Sequence, residues 1–180
     1  YTGADNPPPV SEVAAAFEEM VEHECRAFGL QRPELSIEPG RAICGPAGVA
    51  IYEVGTVKVV ELEGGRSRVY LSVDGGMSDN IRPALYAAEY SAALANRTSD
   101  APPTLCRVVG KHCEGGDILI RDVFLPSDVS LGDLIAVPGS GAYSRSMANN
   151  YNQIPKPPVV SVKDGVSSVM LRRETLDDLM

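Results

Sequence analysis

The sequence predicts a mainly β protein with some α: the end of a parallel β/α barrel over residues 1–49, then a C-terminal β-sandwich or β-barrel domain over residues 50–180. Three observations predict it. Val54 to Leu62 and Ser67 to Val73 are β-rich runs joined through Glu63-Gly64-Gly65-Arg66, a hairpin signal. Further short apolar runs follow at Leu105 to Val109, Ile118 to Arg121, Leu134 to Val137 and Val159 to Val162, with Pro126 and Gly132-Asp133 as punctuation. Many short strands at such spacing build sandwiches and barrels. Before residue 50, by contrast, one long helical pattern leads through a short strand into a Gly/Pro loop, the order of a barrel's last unit.

Taken in order, the elements have local causes. Tyr1 to Pro9 reads as the middle of a loop, and Pro7, Pro8 and Pro9 stop anything regular there. Ser11 supplies a cap for a helix running to about Phe28, and Gly29 ends it. Val13, Phe17, Met20, Val21 and Phe28 keep helical spacing, with Glu18, Glu19 and Glu22 on the wet face. Leu35-Ser36-Ile37 reads as a short strand, and Ala42 to Val49 as a broken turn or short helix. Asp79 to Leu94 is Ala-rich and includes a helical turn, which Pro83 limits to a start near Arg82. Lys163-Asp164-Gly165 turns the chain into a last strand, Val166 to Leu171. No internal repeat or low-complexity tract is visible.

Composition narrows the function classes. At 180 residues, 44% hydrophobic and 22% charged, the chain can bury a core. A net charge of −8 argues against a nucleic-acid groove, which needs a basic face. No 18-residue apolar stretch and no signal-peptide pattern appear, so a cytoplasmic protein without a membrane partner is expected. Cys25, Cys44, Cys106 and Cys113 show no CxxC spacing, and with only His23 and His112 beside them no metal site is expected.

The most informative stretch is Gly110-Lys111-His112-Cys113-Glu114-Gly115-Gly116-Asp117, where a thiol and a carboxylate sit side by side among glycines. In a cytosolic chain such a cysteine is a candidate for chemistry; alone, the stretch more often reads as a buried structural Cys beside a loop carboxylate. Arg82 stands four residues before Tyr86, so both share one helix face. Its planar fork fits a carboxylate, though most arginines merely face solvent. Gly40-Arg41 after a strand can aim N–H groups at a phosphate, although Pro-Gly pairs mostly make ordinary turns. Tyr143 reads equally as a tyrosine closing a core edge, and His112 as a loop histidine without chemical role. Asp74, Gly75, Gly76 and Asp79 read as a structural turn before the Arg82 helix. Tyr151, in a polar loop with Asn149, Asn150 and Asn152, has a weak claim to supporting the pocket.

Four segments, Glu38-Pro39-Gly40-Arg41, Asp74 through Tyr86, Gly110 through Asp117 and Gly139-Ser140-Gly141-Ala142-Tyr143, occur in an order and spacing that resembles the C-terminal half of the diaminopimelate decarboxylases. These are pyridoxal-phosphate enzymes of the fold type shared with ornithine and arginine decarboxylases. Leu171-Arg172-Arg173-Glu174-Thr175 is similar to the family's usual ending, and the resemblance runs from about Tyr1 to Met180. It implies decarboxylation of meso-2,6-diaminopimelate to L-lysine and carbon dioxide, the last step of lysine biosynthesis, with pyridoxal 5'-phosphate as cofactor.

The resemblance also implies residue roles. Glu38, Gly40 and Arg41 line the cofactor pocket, and Tyr143 donates to the phosphate and borders the substrate. Arg41, Arg82 and Tyr86 grip the substrate carboxylate that is not lost. Cys113 is the acid that returns a proton after decarboxylation, Glu114 meets the distal ammonium, and both reach across a homodimer interface into the partner's site. A triple-glycine strand and the cofactor lysine are expected upstream of Tyr1, since Lys58, Lys111, Lys156 and Lys163 lack the family's lysine context. The chain therefore reads as a C-terminal portion, inactive in isolation. The alternatives are an ornithine/arginine-type or carboxynorspermidine decarboxylase, which would not need Arg82, and a non-catalytic fragment that only dimerises.

Overall fold

The computed structural model describes residue 2 and residues 5–180, so the expected loop over residues 1–9 lies partly outside the described residues. These fall into two compact units, one running to Pro39 and one over Gly40–Met180.

The first unit is built on α1 (Val10–Phe28). Its start differs from expectation by one turn position. Pro9, at φ −55° and ψ 144°, is the cap, and its carbonyl accepts from the N–H of Glu12 at 3.0 Å and of Val13 at 3.2 Å. Ser11 therefore lies inside the first turn and caps nothing with its side chain. The proline run itself sets the boundary, because a fixed φ pre-organises the entry. Gly29 ends the helix at φ 60°, the left-handed conformation glycine adopts without a Cβ penalty. Leu35 to Ile37 forms no strand: among the described residues it has no ladder partner, and a strand needs one.

The second unit opens with α2 (Arg41–Cys44) and continues as β1 (Val49–Leu62), a 3₁₀ turn over Glu63–Gly65, and β2 (Arg66–Val73). The glycine-bearing hairpin signal is thus realised, with Gly64 and Gly65 at φ 76° and 70°. Then come α3 (Arg82–Tyr86), β3 (Ala93–Leu94), β4 (Pro103–Val109), β5 (Ile118–Pro126), β6 (Leu134–Pro138) and α4 (Ser144–Met147). A 3₁₀ turn over Tyr151–Gln153, the hairpin β7 (Val159–Lys163) and β8 (Val166–Leu171), and a 3₁₀ turn over Leu176–Leu179 complete it.

Six strands form one sheet in the order β3-β6-β1-β2-β4-β5, in which β2 and β4 are the parallel pair and all other neighbours are antiparallel. The edge strands β3 and β5 approach each other, so the sheet nearly closes into a barrel. The mainly β expectation is therefore met. Alternate residues fill the interior: Tyr52 and Val54, Leu71 and Val73, Cys106 and Val108, Ile135 and Val137 are all buried. Full burial of a Leu71 or an Ile135 is worth about 1.5–3 kcal/mol each. A bulge between Val54 and Val57 bends β1 so that its two halves pair with different strands, β6 and β2.

The parallel pair has a consequence for function. Parallel neighbours cannot be joined by a tight turn, so residues 74–102 must cross from the end of β2 to the start of β4. That long connection carries Arg82 and Tyr86. Its far end is pinned by Arg97, whose guanidinium donates to both carboxylate oxygens of Asp133 at 2.8 Å and to Asp128 at 2.9 Å. Arg97 in turn holds the Asp133 carboxyl well below the usual carboxylate range.

Candidate functional site

Two supports of the second unit carry the residues singled out from sequence. The first joins α2 to the segment after β6. Ser140 N donates to Gly48 O at 3.0 Å and Gly141 N to Gly45 O at 3.1 Å. The approach is too close for side chains: a Cβ on Gly141 would stand 1.8 Å from the Cys44 carbonyl oxygen, and one on Gly48 would stand 2.3 Å from Gly141 Cα. Arg41, at the start of α2, is thereby fixed to the strand end that leads into Tyr143.

The second support interlocks two loops. Asp79 accepts from Gly76 N at 2.7 Å and from the Tyr52 hydroxyl at 2.6 Å, closing the turn before α3. Burial raises the carboxyl of Asp79 and, with Asp79 beside it, the phenol of Tyr52. Asp117, itself buried, accepts from Met77 N at 2.7 Å and from His112 N at 2.8 Å, one donor from each loop. Ser78 N donates to His112 Nε2 at 3.2 Å, so this imidazole is the tautomer protonated at Nδ1. His112 and the Asp74–Asp79 turn hold one another through these bonds. Asp117 is the residue that the sequence reading missed. Its only sequence signal is the pair Gly76 and Gly110, where a Cβ would come within 2.7 Å and 2.1 Å of its carboxylate.

On these supports the side chains meet in two groups. The Arg82 guanidinium lies 4.9 Å from the centre of the Tyr143 ring and 5.4 Å from that of Tyr86. Among the described residues it has no carboxylate and no hydrogen-bond acceptor as partner. Tyr143 holds its place at φ 68°, a conformation uncommon for a residue with a side chain and typical of ligand-clamping positions. Beside it the Ser144 hydroxyl is buried without a partner. A half-buried cation stacked on two phenol rings, next to an orphaned hydroxyl, is the donor set of a site for a carboxylate or phosphate. The Tyr143 phenol and the partnerless Ser144 hydroxyl suit the phosphate of pyridoxal phosphate, and the Arg82 fork suits a carboxylate.

The second group is the tip of the 110–117 loop. Cys113 is an exposed free thiol, and Glu114 accepts a hydrogen bond from the Tyr151 hydroxyl, which raises that phenol above its ordinary value. The ring of Tyr151 also sits 5.6 Å from that of His112. Sequence spacing anticipated the Arg82–Tyr86 pair. Tyr143 against Arg82 and Tyr151 against Glu114 lie far apart in sequence and could not be read from spacing. Glu38 belongs to the first unit and Gly40 begins the second.

The family described as pyridoxal-dependent decarboxylase, C-terminal sheet domain, matches residues 19–141. The chain is 52% identical over its full length to the diaminopimelate decarboxylase of Mycobacterium tuberculosis and 47% identical to that of Bacillus subtilis, spanning 40% of the length of each. Among solved structures it is similar to the diaminopimelate decarboxylase of M. jannaschii in complex with L-lysine, with TM-score 0.82 and 29% identity, over 98% of this chain and 38% of that one. The Helicobacter pylori diaminopimelate decarboxylase complexed with L-lysine matches with TM-score 0.79 and 29% identity, over 98% of this chain and 40% of that one.

Proposed function

This chain belongs to the pyridoxal-dependent decarboxylases, carrying their C-terminal sheet domain, and from that premise we propose that it serves the decarboxylation of meso-2,6-diaminopimelate to L-lysine and carbon dioxide. The chain spans about 40% of its curated relatives, so the reaction is that of a longer protein, to which this chain lends one wall of the site. The observation that carries the reading is Arg82, a cation stacked on Tyr86 and Tyr143 with no anion beside it among the described residues. A substrate that keeps a carboxylate after reaction supplies that anion. A diamine-forming substrate does not.

Pyridoxal phosphate, when bound, supplies the electron sink that lets a carboxylate leave as carbon dioxide. Gly40 and Arg41 would line its pocket, and the Tyr143 phenol would donate to its phosphate; Glu38 belongs to the other unit. The cofactor's lysine comes from outside this chain, because Lys58, Lys111, Lys156 and Lys163 lack its surroundings. Arg82 and Tyr86, with Arg41, hold the retained carboxylate and so select the end of the substrate that reacts. Cys113 gives the proton from Sγ to the carbon that lost its carboxylate, and Glu114 takes the distal ammonium. Both act in the site of a second copy, in a homodimer with shared sites. A cytoplasmic setting follows from the biosynthetic reaction.

The test is Arg82→Ala in the full-length protein. The expected loss in kcat/KM for diaminopimelate is about 2–5 kcal/mol, as for a buried charge pair with one partner removed. The cofactor absorbance stays normal, because Arg82 serves the substrate. An unchanged kcat/KM, or faster turnover of ornithine than of diaminopimelate by the unaltered protein, overturns the reading.

A further inference from the structure

We propose that Tyr151 is the positioning residue for Glu114, and that Glu174, from the C-terminal segment, is the latch that keeps Tyr151 in place. The proposal rests on the substrate-binding reading of Glu114 but names two residues that reading does not use.

Glu114 stands at the tip of a glycine-flanked loop, where its own backbone does little to fix the carboxylate. The hydroxyl of Tyr151 donates to Glu114 Oε1 across 37 residues of chain. The loop that presents Tyr151 is anchored at both ends. On one side Asn149 N donates to Ser78 O at 2.8 Å, in the same loop system that holds His112, and Asn149 Oδ1 accepts from Tyr151 N at 3.0 Å. On the other side a single carboxylate oxygen, Glu174 Oε2, accepts from Asn150 Nδ2 at 2.7 Å and from Lys156 N at 2.9 Å. Glu174 N returns a bond to Lys156 O at 3.1 Å, and Lys156 Nζ lies 3.7 Å from Glu174 Oε1. These partners draw the Glu174 carboxyl below its ordinary value, backbone Lys156 first and Asn150 next, so it stays an anion.

The chemistry gives the arrangement a purpose. A carboxylate that must meet a substrate ammonium gains most when its geometry is set before the substrate arrives. A phenol does this without cancelling the charge, where an arginine or lysine would compete with the substrate for it. The latch extends the same pre-organisation to the loop backbone. Asn152 and Gln153, at φ 53° and 55°, hold a conformation that a loop freed of Glu174 would relax.

The test uses the full-length holoenzyme. Tyr151→Phe keeps the ring beside His112 and removes only the hydroxyl. Its KM for diaminopimelate should rise about threefold to tenfold, the scale of one ordinary hydrogen bond at an exposed site, with kcat little changed and the melting temperature retained. In a Glu114→Gln background the same change should add almost nothing, because the two residues act as one unit. Glu174→Gln should give a smaller KM rise than Glu174→Ala. A direct readout needs no turnover: the phenolate absorbance assigned by difference to Tyr151 should appear at lower pH in Glu114→Gln. Additive KM effects, or a Tyr151 titration indifferent to Glu114, overturn the proposal. A normal titration shift in a protein that does not turn over diaminopimelate overturns the substrate reading and leaves the pairing standing.

Discussion

Arg82 illustrates how much a single side chain decides. Its guanidinium lies within cation–π reach of both the Tyr143 and Tyr86 rings, which covers part of it and limits where the fork can sit. Lysine keeps the charge but has neither the flat face for the stack nor two parallel donors for a carboxylate. Arg82→Lys in the full-length protein should therefore recover less than a tenth of the kcat/KM lost in Arg82→Ala, about 1.4 kcal/mol or more short of wild type. Recovery to near wild-type rates would mean that charge alone matters and the stack does not. At this scale the sequence is informative where partners are close along the chain. Arg82 and Tyr86 are four residues apart on one helix face, and that pairing is legible. Tyr143 reaches the same guanidinium from 61 residues away, and Asp117 joins two loops through backbone donors. No spacing rule encodes either, because a backbone N–H belongs to every residue type.

At the scale of elements, legibility follows the strength of local chemistry. The β1–β2 hairpin carries its own glycines, and α3 begins where Pro83 permits it to begin. By contrast β3 is two residues long and exists through pairing with β6, which nothing local announces. Leu35 to Ile37 shows the converse, an apolar run that remains unpaired among the described residues. The two loops that shape the site follow neither rule. They hold each other through Asp117, and the glycines at 76 and 110 are the space that its carboxylate occupies. Asp117→Ala should leave the Met77 and His112 N–H groups buried without acceptors, at a cost of about 2–4 kcal/mol in unfolding free energy. Denaturant unfolding of the purified protein measures this. Because the loops carry both α3 and the Cys113–Glu114 tip, activity should fall further than the population of folded protein explains. A stability within about 0.5 kcal/mol of wild type would remove Asp117 from its place as the joint between the loops.

At the scale of the whole molecule, the proposed homodimer raises the question of which subunit would complete which site. Arg82 and Tyr143 stack within one chain, whereas Cys113 and Glu114 sit at an exposed loop tip. If that tip enters the site of a second copy, Arg82→Ala and Cys113→Ala damage different halves of the same site. Each homodimer then has two defective sites. In the mixed dimer, one site combines an intact Arg82 with the partner's intact Cys113, and the other site carries both defects. Random exchange makes half of the dimers mixed, and each holds one good site of two, so about a quarter of wild-type activity should return under two-fold symmetry. If instead Cys113 works in its own chain's site, every site in the mixed dimer keeps one defect and mixing restores nothing. The two outcomes differ in kind, not only in degree. Subunit exchange is followed independently by native mass spectrometry of differently tagged chains, so a failure to exchange is not mistaken for a failure to complement.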